Sequence, residues 1–191
     1  RVLAINGSGP APKAATVEWF RNNDYPLIPE DGFTPAVVPG AFDAWLMTLD
    51  LYGTFSLTEC LKPSIDIASK GYPIQPTMVR SITASQERFR NEWSTTASIY
   101  LPDGRAPHIG QLMENHDWAM TFREMVKLEK VERKSGRSAA LNACRDYFYR
   151  GPIAERIIDF MNDFKCRDVY GKETPGLMTL EDFDKYQARI E

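Results

Sequence analysis

The 191-residue sequence predicts a mainly α-helical body carrying one strand at its N-terminal end. Three observations carry that expectation. Apolar residues recur at three- and four-residue spacing through most of the chain after residue 40. Helix-starting signals precede these runs, either Pro in a first turn or a hydroxyl residue followed three positions later by an acidic one. Only RVLAIN, residues 1–6, reads as an extended apolar run, closed by Gly7.

In chain order, GSGPAP interrupts the chain after this strand. A helix is expected over 13–21, with Ala14, Val17 and Phe20 on one face. Residues 22–40 hold four prolines and two glycines and read as extended and irregular. Phe42, Trp45, Leu46 and Leu49 then fall on one helical stripe, so the Trp45 face is expected to pack inward; Tyr52-Gly53 ends that helix. Ser56-Leu57-Thr58-Glu59 is a capping box, in which hydroxyl and carboxylate each satisfy an orphan N–H. Pro63 is expected to kink the helix that follows or to start another, and Gly71 to close it. Pro76 opens a helix to about Arg90, with Val79, Ile82, Gln86 and Phe89 on one face. LPDGRAP (101–107) is a turn cluster. Asn115 caps a helix from His116 to about Lys134, with Trp118, Phe122, Met125 and Val126 inward. Ser135-Gly136 breaks it, and helices over 139–149 and 152–164 meet at Gly151. Thr179-Leu180-Glu181-Asp182 caps a last short helix. One further short strand is conceivable at 97–101. A lone strand leaves its ladder groups unpaired, so its sheet is expected to be mostly on another piece of chain.

Apolar residues are 43% and charged residues 26% of the chain, the composition of a folded globular protein long enough to bury a core in one domain, 1–191. A net charge of −3 argues against a nucleic-acid partner. No apolar run approaches the roughly 20 residues that span a bilayer, and no membrane partner is expected. The chain starts at Arg1 rather than Met and is expected to be processed or truncated. The sequence sets no compartment, a cytoplasmic and a periplasmic one both being compatible with it. Cys60, Cys144 and Cys166 are odd in number and widely spaced, with no C-x-x-C, and read as reduced and mostly packed inside.

Chemistry-bearing residues are sparse. His108 and His116 lack carboxylates or thiols at metal-ligand spacing, so neither a metal nor a cofactor is expected. Asp182 and Asp184 read as complements to a helix N-terminal dipole. Gly7-Ser8-Gly9 resembles part of a phosphate loop, but no G-K-[ST] follows and Pro10 removes an N–H. Its small residues instead suit close approach of another molecule. Residues 127–134 alternate in charge and read as a solvated helical face. Trp19, Trp45, Trp93 and Trp118 read as core anchors.

Five stretches in order, AINGSGPAP (4–12), VPGAFDAWLMTLDLYGTFSLTECLKPSIDIASKGYPI (38–74), NHDWAMTFREM (115–125), FYRGPIAERI (148–157) and GLMTLEDFDKYQA (176–188), resemble the large chain of the γ-glutamyltransferase family. That resemblance covers nearly the whole sequence. It implies the helical middle region of an αββα N-terminal-nucleophile hydrolase, with residues 1–6 in the family's core sheet and 41–191 as the helical region. It further implies a precursor that cuts itself into two chains, the new N-terminal threonine of the small chain being the nucleophile and its α-amine the base. No catalytic residue is then expected on this chain. Its expected partners are the remainder of the large chain, the small chain and a small-molecule amide. Self-association is a further expectation, since the strand and the Trp45 face would otherwise lack neighbours.

Asn6 and Ser8 are the expected substrate-binding residues, forming one pocket wall. Ser8 stands where transpeptidases of the family carry an arginine that grips the glutamyl α-carboxylate, and a hydroxyl cannot make that bidentate charged contact. Residues 133–142 also depart from the transpeptidases. The resemblance therefore leans to the acylase and oxamate-amidohydrolase branch. The alternatives are a conventional γ-glutamyl transpeptidase or a catalytically inactive helical interaction module.

Overall fold

The computed structural model describes residues 2–191; Arg1, the first residue of the expected strand, lies outside the described residues. The protein is mainly helical, as expected, and its residues gather into two compact units. One comprises the described part of Arg1–Phe55 with Glu129–Glu191, the other Ser56–Leu128.

In the first unit, β1 (Ile5–Asn6) leads through the GSG turn to α1 (Val17–Asn22). Thr16 sets where α1 begins, because its hydroxyl accepts the Trp19 N–H at 3.1 Å. The helix therefore starts later than residue 13, leaving Ala14 outside it and Val17 exposed, while Phe20 is buried. The irregular segment that follows is tied down at Tyr25, whose hydroxyl donates to buried Asp168 Oδ2 at 2.7 Å. Asp168 also accepts the N–H groups of Tyr170 and Lys172 and so shapes its own turn.

α2 (Ala41–Tyr52) packs against α7 (Arg137–Tyr149), which packs in turn on α8 (Pro152–Asp163). Phe42 meets Phe148 at a ring-centroid distance of 5.0 Å, and Tyr149 lies against Tyr186 at 5.5 Å. The α2 stripe is rotated from the sequence expectation. Phe42, Asp43, Ala44 and Leu46 are buried, whereas Trp45 is 65% exposed. A carboxylate turned inward moves the tryptophan outward, and Asp43 goes in because the half-buried Arg145 meets it there. Arg137 closes α2, donating to the carbonyls of Leu49 (2.7 Å) and Gly53 (3.0 Å), where a cation complements the helix C-terminus. The chain finishes with α9 (Leu180–Asp184), started by a Thr179–Asp182 capping box, and β4 (Arg189–Ile190).

β1 is not alone. It pairs antiparallel with β4, Ile5 opposite Ile190 and Asn6 opposite Arg189. The Ala4 and Glu191 backbones extend the ladder with N–H···O bonds of 3.1 and 2.8 Å. This chain thus supplies one partner for the first strand, a strand that periodicity did not reveal.

The second unit holds α3 (Leu57–Lys70), α4 (Pro76–Asn91), α5 (Ser94–Tyr100) and most of α6 (His116–Glu132). The capping box at α3 is complete: Glu59 N–H donates to Ser56 Oγ at 3.1 Å, and Ser56 N–H donates to Glu59 Oε2 at 2.8 Å. Pro63 is carried inside α3 without starting a new helix, and Gly71 ends it at φ +86°. β2 (Tyr72–Pro73) pairs with β3 (Leu112–Met113), and Pro73, having no N–H, suits an edge. Ile74, Ile82, Leu101 and Met113 make the core. Residues 97–100, a conceivable strand by sequence, belong to α5. Asn115 caps α6 as expected, its Oδ1 accepting the Trp118 N–H at 3.0 Å. The stripe turns again: Ala119 and Met125 are buried and Trp118 is exposed. Two of the four tryptophans, Trp45 and Trp118, are thus surface residues rather than core anchors.

The alternating-charge stretch is not wholly solvated either, because Glu129 is buried in the first unit beside Cys144. Burial pushes the Cys144 thiol up to about 12, and the charge of Glu129 adds to it. Among the described residues no disulfide joins the three cysteines; Cys60 is exposed, Cys144 and Cys166 are buried. Thiol-specific labelling at pH 8 is therefore expected to modify Cys60 in the native protein, and Cys144 and Cys166 only in denaturant. The unfolded thiol ionises from its ordinary 9.0 upward while the folded one stays neutral. Stability from this group is complete below about pH 9 and lost as pH climbs towards the folded value. Urea midpoints at pH 8 and pH 10.5, for this protein and for Cys144→Ala, measure that loss.

Candidate functional site

The first unit builds its most specific geometry where the GSG turn meets the Val38-Pro39-Gly40 segment. Asn6 lies in β1, and its Oδ1 accepts the Ser8 N–H at 2.9 Å, which folds the chain back on itself. The turn presses backbone to backbone on the second segment. A Cβ at Gly9 would lie 1.6 Å from the Val38 carbonyl oxygen, and one at Gly40 would lie 2.2 Å from that of Gly7. Val38 N–H donates to the Pro10 carbonyl at 3.1 Å. Ser8 therefore stands between two glycines that have no freedom to carry a side chain.

Behind this contact is a polar hub. Asp43, 2% exposed, receives Arg145 Nε at 2.6 Å on one oxygen and the Ala188 N–H at 2.7 Å on the other. Arg145 also donates to the Tyr186 carbonyl at 2.5 Å and lies over the Tyr149 ring. Tyr149 donates its hydroxyl to the Pro39 carbonyl at 2.6 Å and accepts the Asp43 N–H; Tyr186 donates to the Gly40 carbonyl at 3.2 Å. Burial holds both phenols above their ordinary value, and the Asp43 charge reinforces this, so they remain neutral donors. The hub thus fixes the Pro39-Gly40 turn and the 186–188 backbone together.

Two clefts flank it. One of about 480 Å³ runs along α2, α7 and α9, and its charges are mutually engaged, Arg150 pairing with Asp146 at 2.6 Å and with Asp184. The other, about 280 Å³, is lined by Asn6, Ser8, Gly9, Tyr186 and Arg189, among others. Both sequence-expected binding residues are therefore brought to one concave surface. Asn6 Nδ2 is engaged, donating to Glu191 Oε1 at 2.8 Å. Asp43, Arg145, Tyr149, Tyr186 and Arg189 were not anticipated. The one signal for them in the sequence is an aspartate interrupting the apolar run at FDAWL.

The histidines do not join this surface. His116 Nε2 meets Glu114 at 2.8 Å in solvent, and the ring of His108 lies by the Ile109 carbonyl. Among the described residues, no three His, Cys, Asp or Glu side chains are grouped to hold a metal ion. No helix among the described residues is long and apolar enough to cross a membrane.

Helices stacked beside a short strand ladder, with the buried polar groups committed to holding turns, match the helical region of N-terminal-nucleophile hydrolases. LmbA2991HD superposes with a TM-score of 0.94 at 31% identity, covering all of this chain and 32% of that one. Cephalosporin acylase from Bacillus halodurans superposes with a TM-score of 0.78 at 28% identity, again covering all of this chain and 32% of the acylase. Glutathione hydrolase proenzyme from Bacillus subtilis (strain 168) is 28% identical over 185 residues, 95% of this chain and 27% of that proenzyme. The sequence pattern of the gamma-glutamyltranspeptidase family matches residues 1–191. The chain belongs to the gamma-glutamyltranspeptidase family. It spans about a quarter to a third of the length of these relatives.

Proposed function

We propose that this chain is the helical scaffold of an amide hydrolase precursor, and that Asn6 and Ser8 form one wall of its acyl pocket. The nucleophile in this reading is the threonine of a small chain that lies outside residues 1–191, with its own α-amine as base. The two compact units would then act as one large-chain domain that receives the rest of the precursor. The observation that carries the proposal is the backbone-to-backbone lock of Gly7-Ser8-Gly9 on Val38-Pro39-Gly40. It fixes a small, exposed hydroxyl at the rim of a 280 Å³ cleft, sized for a small acyl group. Serine at position 8 supports a small amide or acyl-amide rather than a γ-glutamyl donor, because the bidentate cation used by transpeptidases is missing there.

The test uses the full-length processed protein with oxamate as a simple amide and γ-glutamyl-p-nitroanilide as a glutamyl donor. The expected result is at least tenfold higher kcat/KM for the simple amide. Efficient glutamyl transfer to an acceptor dipeptide would return the protein to the transpeptidase reading, and inactivity on both would leave the interaction module.

A further inference from the structure

We infer that Tyr186 is a specificity-determining residue, its ring being the end wall of the Asn6–Ser8 cleft and the limit on the acyl chain that the cleft admits; this rests on the amidase reading above. The cleft of about 280 Å³ and the charged cleft of about 480 Å³ share one stretch of lining, Lys185-Tyr186-Gln187. The two hollows thus meet across that single segment. Lys185 and Gln187 are exposed, whereas Tyr186 is 6% exposed, so the buried bulk of the partition is its phenol ring.

That ring is held at several points. Its hydroxyl donates to the Gly40 carbonyl at 3.2 Å, and its face lies against Tyr149 at a centroid distance of 5.5 Å. The Tyr186 carbonyl accepts Arg145 at 2.5 Å, and the Ala188 N–H two residues on is fixed by Asp43. A Cβ at Gly40 would run into the phenol oxygen, so the glycine leaves the room that the ring uses. A ring fixed in this way cannot swing aside for a longer substrate, and a close-packed wall discriminates by the methylene. Behind it the larger cleft presents Leu46, Met47 and Leu141, apolar side chains that suit an alkyl chain. A smaller side chain at 186 would open the short cleft onto them. The substrate class that the intact wall selects is an amide of a short, uncharged acyl group.

The experiment compares full-length processed enzyme with its Tyr186→Phe and Tyr186→Leu variants on butyryl- and octanoyl-p-nitroanilide. Calorimetric titration with octanoate accompanies the kinetics. The parent is expected to favour the butyryl over the octanoyl anilide at least tenfold in kcat/KM. Tyr186→Phe keeps the ring and should keep that ratio. Tyr186→Leu should lower the ratio at least tenfold, mostly through a smaller KM for the octanoyl anilide. A merely structural role would depress both anilides together. An unchanged ratio in Tyr186→Leu, or a parent that takes both chains alike, therefore overturns the proposal. If Tyr186→Leu does not fold, Tyr186→Met takes its place, and failure of both to fold also overturns it, the ring then serving the fold alone. Should the parent cleave neither anilide, the amidase reading fails on its own, and titration decides: octanoate binding gained in Tyr186→Leu sustains the wall, and no gain rejects it.

Discussion

Arg145→Leu is expected to destabilise the protein by about 3–5 kcal/mol, the cost typical of removing one partner from a buried ion pair. The reason lies with what remains. Asp43 would keep its charge at 2% exposure with only the Ala188 N–H to meet it. The Tyr186 carbonyl would lose its donor and the Tyr149 ring its cation. Urea unfolding at neutral pH measures the loss. The double variant Asp43→Leu/Arg145→Leu should be less damaged than Arg145→Leu alone, because two apolar side chains leave no orphaned charge. Arg145→Lys should recover little, since one ammonium cannot serve both Asp43 Oδ1 and the Tyr186 carbonyl with the same geometry. A loss below about 1 kcal/mol for Arg145→Leu would show that solvent reaches Asp43 and that the hub is not dry.

Gly9→Ala should be the second severe change, at or beyond the upper end of the about 1–3 kcal/mol typical of overpacking. The added methyl would sit 1.6 Å from the Val38 carbonyl oxygen and 2.6 Å from its carbon. These are backbone atoms, and no side-chain rotation can clear them. The turn must separate from the Val38-Pro39-Gly40 segment, carrying Ser8 with it, so activity on any substrate read by Ser8 should fall alongside the unfolding midpoint. Gly9 has an ordinary φ, so this cost is purely one of space. Gly104 is the contrast: nothing lies within 4 Å of an added Cβ, and only its φ of +73° resists substitution. Gly104→Ala should therefore cost about 1 kcal/mol.

The helices were legible because their evidence is local. Capping residues Ser56, Asn115 and Thr179, Pro76 at a first turn, and Gly53, Gly71 and Gly136 at ends or breaks all act within a few residues of themselves. The direction each helix faces was less legible. Periodicity alone favours Trp45 over Asp43 as the inward residue of α2, and only Arg145, 102 positions away, reverses that choice. Strands of two residues leave no alternation to read, so β2, β3 and β4 were invisible in the sequence. The candidate site divides the same way. Asn6 and Ser8 stood out through their glycine-rich surroundings and the family likeness. Arg189 comes to the cleft only through a register that pairs it with a residue at the far end of the chain.

That pairing of Ala4–Asn6 with Arg189–Glu191 has a topological consequence. The polypeptide leaves and returns through one doorway, so what lies between is a closed excursion whose span is set by one short hydrogen-bonded ladder. An insertion at an outlying bend such as Gly136 changes the path length without moving either doorpost.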